Sequence, residues 1–244
     1  MIKKVVKDTM LALYSNIKRD CYSKVLYYHD IHKDKPFTDM STEIELFKKH
    51  IEVLKNEGFK IVSEISQKEF EVMITFDDGW KGLYESFDFF IENKIPVKLF
   101  LISSRIGQKN YLTKNEIESM LKTKLLTIGS HTVNHLNLDE IEDSQVDTEL
   151  ISSKKNLEDL FGVEINSICY PRGRFNENIV KMSKSAGYTT QYSCLPGNYF
   201  NEPYENVKRR NFVQHESPST FRSWLYGGGM AFEKRYRKLH IRER

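Results

Sequence analysis

The sequence predicts an α/β protein built on parallel strands, either a barrel or an open doubly wound sheet. Three observations carry that expectation. Short apolar runs of strand length alternate with helical patterns along the chain, the order that makes parallel β with crossover helices. The strand-like runs number about seven or eight. A length of 244 residues is ordinary for one α/β barrel domain. No internal repeat and no low-complexity linker divides the chain, so residues 1–244 read as a single domain.

The first strand is expected at 25–28, an apolar and aromatic run. A helix is expected over 40–56, because Ile44, Phe47, Ile51 and Leu54 fall on one face. Thr42 and Glu45 have capping-box spacing, and Gly58 stands where such a helix stops. Further strands are expected at 72–76, 97–102, 125–128, 165–170, 188–193 and 208–213. Helices are expected at 83–93, ended before Pro96, and at 115–121, 139–161, 177–186 and 218–226. Gly162 and Gly187 mark the ends of the fourth and fifth of these six helices.

Composition excludes several classes. A hydrophobic share of 39% with 29% charged residues fits a soluble globular chain and not a disordered one. The formal charge of +3 is too small to argue for nucleic acid, and none is expected as a partner. Cys21, Cys169 and Cys194 are odd in number and irregular in spacing, which suits free thiols in a reducing compartment. No apolar run approaches the length of a membrane span. The stretch 10–14 after the first lysines is too short for a signal peptide's core, so a cytoplasmic location is expected. The basic stretch Lys234, Arg235, Arg237, Lys238, Arg242 and Arg244 reads as a solvated helix end, with contact to an anionic headgroup, a nucleotide or a polyprenyl phosphate as the other reading.

Three motifs carry chemistry, and each follows an expected strand. Thr75-Phe76-Asp77-Asp78-Gly79-Trp80 puts two adjacent carboxylates at a strand end, where they point in different directions. One can bind a cation while the other accepts a proton. A plain Asp-Asp-Gly turn is the bland reading. In Ser130-His131-Thr132-Val133-Asn134-His135, two imidazoles four apart share one face of a helical turn, a spacing that suits one metal. Ser130 and Asn134 are placed to support them. Alone, the pair reads equally as two surface histidines. Together the motifs supply one carboxylate and two imidazoles, leaving positions open for water and substrate, the composition of a catalytic metal site. Tyr170-Pro171-Arg172-Gly173 forms a stiff turn that can present a backbone N–H to a developing oxyanion; Asn176 behind it is a helix N-cap candidate.

These residues resemble the first three motifs of the polysaccharide deacetylase (NodB homology) family, carbohydrate esterase family 4, in order and spacing. The resemblance covers residues 24–226 and extends to Tyr28-His29-Asp30, Phe37 and Ile95-Pro96-Val97-Lys98-Leu99-Phe100. It implies a distorted (β/α) barrel of about seven parallel strands. It implies a metal-dependent hydrolase that removes N-acetyl groups from an amino sugar in a polysaccharide, oligosaccharide or glycan precursor. Asp77 matches the base, and Asp78, His131 and His135 match the metal ligands. Arg172 matches the oxyanion donor, with Tyr170 and Pro171 beside it. The ion implied is divalent, zinc in most members and cobalt or nickel in some.

The sequence also departs from the family pattern. Cys169 stands where many members carry an arginine, and the usual C-terminal Leu-x-His is missing. His215, in that region, reads as loop. His29 is the better candidate for the acid, since it resembles the circularly permuted poly-N-acetylglucosamine deacetylase branch, where the strand bearing the acid comes first; Asp30 would orient it. Arg209 is assigned as the arginine that pairs with the base, with Arg210 as the alternative that strand register decides. Two other readings stand beside the deacetylase: another C–N hydrolase on the same fold, such as a deformylase or cyclic-amide hydrolase, and a carbohydrate-binding homologue that has lost catalysis.

Overall fold

The structure is a computed structural model describing residues 2–242. In chain order its strands are β1 Lys24–Tyr28, β2 Asp30–His32, β3 Ser41–Glu43, β4 Lys60–Ile61, β5 Glu71–Phe76, β6 Val97–Leu101, β7 Leu126–Ser130, β8 Ser167–Cys169, β9 Thr190–Tyr192, β10 Val207–Lys208 and β11 Arg210–Phe212. All the pairings among them are parallel. The main sheet runs β10-β9-β8-β7-β6-β5-β1-β11, with β4 added at the start of β5.

The two ends of that order are one run of chain, broken only at Arg209. Through β10 it pairs with β9 (Val207↔Gln191, Lys208↔Tyr192), and through β11 with β1 (Val25↔Arg210, Leu26↔Asn211, Tyr27↔Phe212). The sheet therefore returns on itself as a distorted barrel with seven strand positions, and edges that would otherwise expose unpaired backbone are joined.

Side chains alternate across this wall. Val25, Met73, Phe100, Cys169 and Tyr192 cluster inside the barrel. Leu26, Ile74, Leu99 and Ile168 face outward into the larger core, which the helices supply with Phe47, Phe90, Leu150 and Leu157. Each such side chain contributes roughly 1.5–3 kcal/mol by leaving water, so the outer layer is the main source of stability.

Several boundaries differ from the sequence expectations for local reasons. The helix expected from 40 begins at Ile44, because Ser41–Glu43 pairs with β2 instead. Thr42 donates its hydroxyl to the Gln214 carbonyl at 2.8 Å and does not cap. Capping boxes lie instead at Thr113 with Glu116 and at Glu142 with Gln145. The helix expected at 83–93 is broken at Ser86 into Gly82–Glu85 and Phe87–Asn93. A helix at Ile2–Lys18 was not anticipated. Gly58, Gly162 and Gly187 all take positive φ at helix ends, and Asn176 caps its helix through Ile179 N–H at 2.9 Å.

His50, on the helix Ile44–Asn56, is wholly buried, and the ring of Phe221 stacks on it at 4.1 Å. Its Nε2 faces the Glu216 carbonyl at 2.7 Å and its Nδ1 the Tyr28 hydroxyl at 3.0 Å. Burial pushes its pKa down to about 4. The unfolded chain then binds the extra proton between pH 6.5 and about 4, so this group costs stability as pH falls through that window, ~3 kcal/mol in all. Asp30, pushed up to about 6 by burial, works in the opposite sense: its contribution is greatest in acid and falls as pH rises from 3.8 towards 6. Denaturant unfolding of wild type and His50→Gln at pH 7 and pH 5 separates the two. The His50→Gln variant is expected to lose less stability on acidification than wild type.

Candidate active site

Asp77 and Asp78 follow β5 at the C-terminal mouth of the barrel. Alternation along the strand turns Met73, Thr75 and then Asp77 inward, and Asp77 is buried. Asp78 adopts φ 71 and Gly79 φ 91, which ends the strand and redirects Asp78 towards the rim. The two carboxylates thus occupy different environments although adjacent in sequence.

Asp77 is clamped by Arg210. Nη1 donates to Oδ1 at 2.7 Å and Nη2 to Oδ2 at 2.8 Å, a two-pronged pair in which the guanidinium is fully buried. Arg210 also donates to the Ser193 carbonyl at 3.2 Å and lies 4.4 Å from the Tyr27 ring. Burial alone would raise the Asp77 pKa, but the charge and hydrogen bonds of Arg210 outweigh it and hold the carboxyl well below the usual range. Asp77 stays ionised at neutral pH.

Asp78 faces two imidazoles. Its Oδ2 accepts from Trp80 Nε1 at 3.0 Å, while its Oδ1 is buried without a hydrogen-bond partner. That oxygen lies 3.5 Å from His131 Nε2 and 3.7 Å from His135 Nε2. His131 Nδ1 faces the Cys169 carbonyl at 2.7 Å, so with the proton on Nδ1 the Nε2 lone pair is free. Burial first, and the neighbouring His131 second, push His135 down to about 4, so its ring is neutral at pH 7. Ligands with bonds of about 2.0–2.2 Å around one tetrahedral ion stand about 3.3–3.6 Å apart. The orphaned oxygen, the neutral His135 ring, the Nε2 atom that His131 turns towards it and these separations fit a divalent cation. A second grouping, Asp77 with His131 and Cys169, is a poorer donor set, because both Asp77 oxygens already accept from Arg210.

The histidine motif is a loop and not the helical turn expected from its spacing. Thr132 and His135 both take left-handed backbone, at φ 67 and φ 60. The loop is braced from beneath by Glu149, buried in the helix Asp143–Phe161. Its Oε2 accepts from the N–H of Val133 at 2.9 Å and of Asn134 at 2.8 Å, and Oε1 from the Asn134 amide at 2.7 Å. Ser130 bonds Ser153 and accepts from Thr132 N–H. Asn134 and Ser130 therefore hold the loop rather than the imidazole rings. Glu149 was missed; its sequence signal is an acid on the same helix face as Val146, Leu150 and Leu157.

His29 follows β1. Its Nδ1 faces Gln214 Oε1 at 2.9 Å, and the Gln214 amide donates onward to His215 Nε2 at 2.9 Å. His29 lies close enough to help lower the Asp77 pKa. Gln214 thus orients it, correcting the assignment to Asp30, whose buried carboxyl lies against Gly82; a Cβ on Gly82 would collide with both Asp30 Oδ1 and the Ile31 carbonyl.

Two further expectations are corrected. Arg209 turns away from the site: it bonds Glu233 at 2.8 Å, the Pro196 carbonyl at 2.9 Å and the Asn201 carbonyl. The register places Arg210 beside Val25, which lines the barrel, so Arg210 points inward. Tyr170, which follows inward-facing Cys169, lies on the outer face. Its ring stacks on Phe175 at 5.2 Å and its hydroxyl bonds Ser183 and Gln191. Pro171 is buried, while Arg172 is exposed in left-handed backbone (φ 54) on a turn closed by Gly173 N–H to the Tyr170 carbonyl at 2.8 Å. A Cβ on Gly173 would strike Cys194, which fixes glycine there. Cys169 Sγ sits 2.6 Å from Arg210 Nη2. A guanidinium from β11 thus fills the space beside the cysteine that stands in place of the family arginine.

The family model for polysaccharide deacetylase matches residues 64–191. The chain is 28% identical over 184 residues to protein YxkH of Bacillus subtilis (strain 168), covering 71% of this chain and 64% of that protein. It is 25% identical over 218 residues to the poly-beta-1,6-N-acetyl-D-glucosamine N-deacetylase of Staphylococcus aureus (strain MRSA252), covering 78% and 73% of the two chains. The match therefore spans a little under two thirds of the Bacillus relative. The structure of IcaB from Ammonifex degensii superposes with a TM-score of 0.75 over 85% of this chain and 98% of that one, at 18% identity, which bears on the fold alone.

Proposed function

The chain belongs to the polysaccharide deacetylase family, and from that premise we propose that it hydrolyses the N-acetyl group of an amino sugar in a glycan or glycan precursor. The observation that supports this most is the separation of duties between adjacent carboxylates. Asp77 is held ionised by Arg210, which donates to both of its oxygens, while Asp78 offers an orphaned oxygen to His131 and His135.

Asp78, His131 and His135 would hold a divalent metal, zinc in the first instance. Such an ion supplies Lewis acidity, drawing electrons from the acetyl carbonyl and acidifying water. Asp77 takes the proton from the attacking water; its low pKa keeps it available, and the two-pronged contact with Arg210 keeps it aligned. The Arg172 backbone N–H donates to the oxyanion as the carbonyl carbon becomes tetrahedral. His29, with its tautomer set by Gln214, delivers a proton to the departing amine. The products are acetate and the free amino sugar.

Metal content and acetate release from N-acetylglucosamine oligomers, before and after chelation, test this reading. One divalent ion per chain is expected, with activity lost on chelation and restored by zinc. His131→Ala should weaken metal affinity by about 10–100-fold or more and abolish acetate release. A chain that takes up no metal while folded would overturn the mechanism.

A further inference from the structure

The helix Ile2–Lys18 packs on the helix Pro218–Leu225 and the turn Gly228–Phe232, with Leu11 and Ser15 buried. On its opposite face Val6, Met10, Leu13 and Ile17 recur at helical spacing and are 52, 42, 60 and 78% exposed. Nothing among the described residues covers this stripe. Beside it runs a groove of about 790 Å³, lined by Val6, Met10, Phe212, Trp224, Tyr236 and Leu239 and walled by Lys7 and Arg235. The far wall is the helix Glu233–His240. On it Lys234, Arg235, Arg237 and Lys238 are exposed, and none joins an ion pair among the described residues. The acid of that helix, Glu233, is taken by Arg209.

We propose that these two helices dock the chain on an anionic lipid surface, with the stripe entering the headgroup–acyl boundary and the basic helix resting on the headgroups. An apolar helical stripe beside unpaired cations has the composition of an interfacial helix. A second copy of the chain is a worse occupant, since a symmetric contact would bring the two basic helices together. The surface also adjoins the active site: Phe212, in the groove, lies 6.0 Å from the His29 ring and 5.1 Å from Tyr27. Docking there would set the barrel mouth close to a glycan made or held at the membrane. The proposal does not depend on the deacetylase reading.

Flotation with phosphatidylcholine vesicles, with and without phosphatidylglycerol, tests it. The wild type is expected to bind the phosphatidylglycerol vesicles at least about ten-fold better at low salt, with the difference shrinking as salt screens the charges. Leu13→Asp/Ile17→Asp should lose about ten-fold or more of that binding, and Arg237→Ser/Lys238→Ser should lose the preference for phosphatidylglycerol. Both variants replace exposed side chains, so unfolding temperature and acetate release from soluble oligomers serve as controls for folding. Wild type that stays off phosphatidylglycerol vesicles, or folded Leu13→Asp/Ile17→Asp that binds as wild type does, would overturn the proposal. So would a wild-type dimer that the same variant converts to a monomer, which would assign the stripe to a second copy.

Discussion

Asp77→Asn is expected to lower acetate release by about two to four orders of magnitude while leaving metal content unchanged. The substitution keeps the shape of the side chain but removes the proton acceptor, and a positioned general base contributes about 10²–10⁴-fold. Metal should be retained because Asp77 is not part of the Asp78, His131 and His135 set: both its oxygens accept from Arg210, at 2.7 and 2.8 Å. The variant should also be less stable, since the buried Arg210 guanidinium loses its anionic partner. Activity is therefore compared per folded molecule, with circular dichroism and metal analysis on the same preparation. An Asp77→Asn protein that retains metal and wild-type activity would remove Asp77 from the mechanism. One that loses metal would place Asp77 among the ligands.

The second large effect concerns Arg210. Arg210→Met removes one member of a buried, hydrogen-bonded ion pair and leaves the Asp77 carboxylate desolvated; breaking such a pair costs about 3–5 kcal/mol. The Ser193 carbonyl and the Thr75 hydroxyl lose a donor as well. Acetate release should fall along with stability, because Asp77 loses both its alignment and the charge that keeps it ionised. Arg209→Met is the informative comparison. Arg209 anchors the Pro196 and Asn201 carbonyls and Glu233, so its loss should destabilise the chain but leave activity per folded molecule near wild type. Urea titrations with parallel acetate assays read both. Equal loss of catalysis in the two variants would contradict the register described here.

Most of the framework was legible in the sequence because it follows from local rules. Apolar runs of strand length, helical spacing of Ile44, Phe47, Ile51 and Leu54, and glycines at positive φ mark elements by constraints that act over a few residues. So does the candidate metal set: Asp78, His131 and His135 stand out by donor type and by their place after strands. What local rules could not supply was anything set by partners distant in sequence. Ser41–Glu43 reads as the start of a helix, yet pairs with Asp30–His32. The spacing of His131 and His135 reads as a helical turn, yet Glu149, in the helix Asp143–Phe161, binds the N–H groups of Val133 and Asn134 and so holds a loop in which the flanking Thr132 and His135 are left-handed.

The amino-acid sequence by itself determined that this is a parallel α/β chain with a paired-carboxylate and two-histidine site at its strand ends. It did so because periodicity, turn chemistry and ligand type are properties of short segments. Only the tertiary structure decided which arginine meets Asp77, which side chain orients His29, and that Tyr170 belongs to the core. Each of these depends on strand register, where a shift of one residue sends a side chain to the opposite face of the barrel wall. The pairing of Val25 with Arg210 settles the first of them, and no feature within residues 208–213 alone distinguishes Arg209 from Arg210.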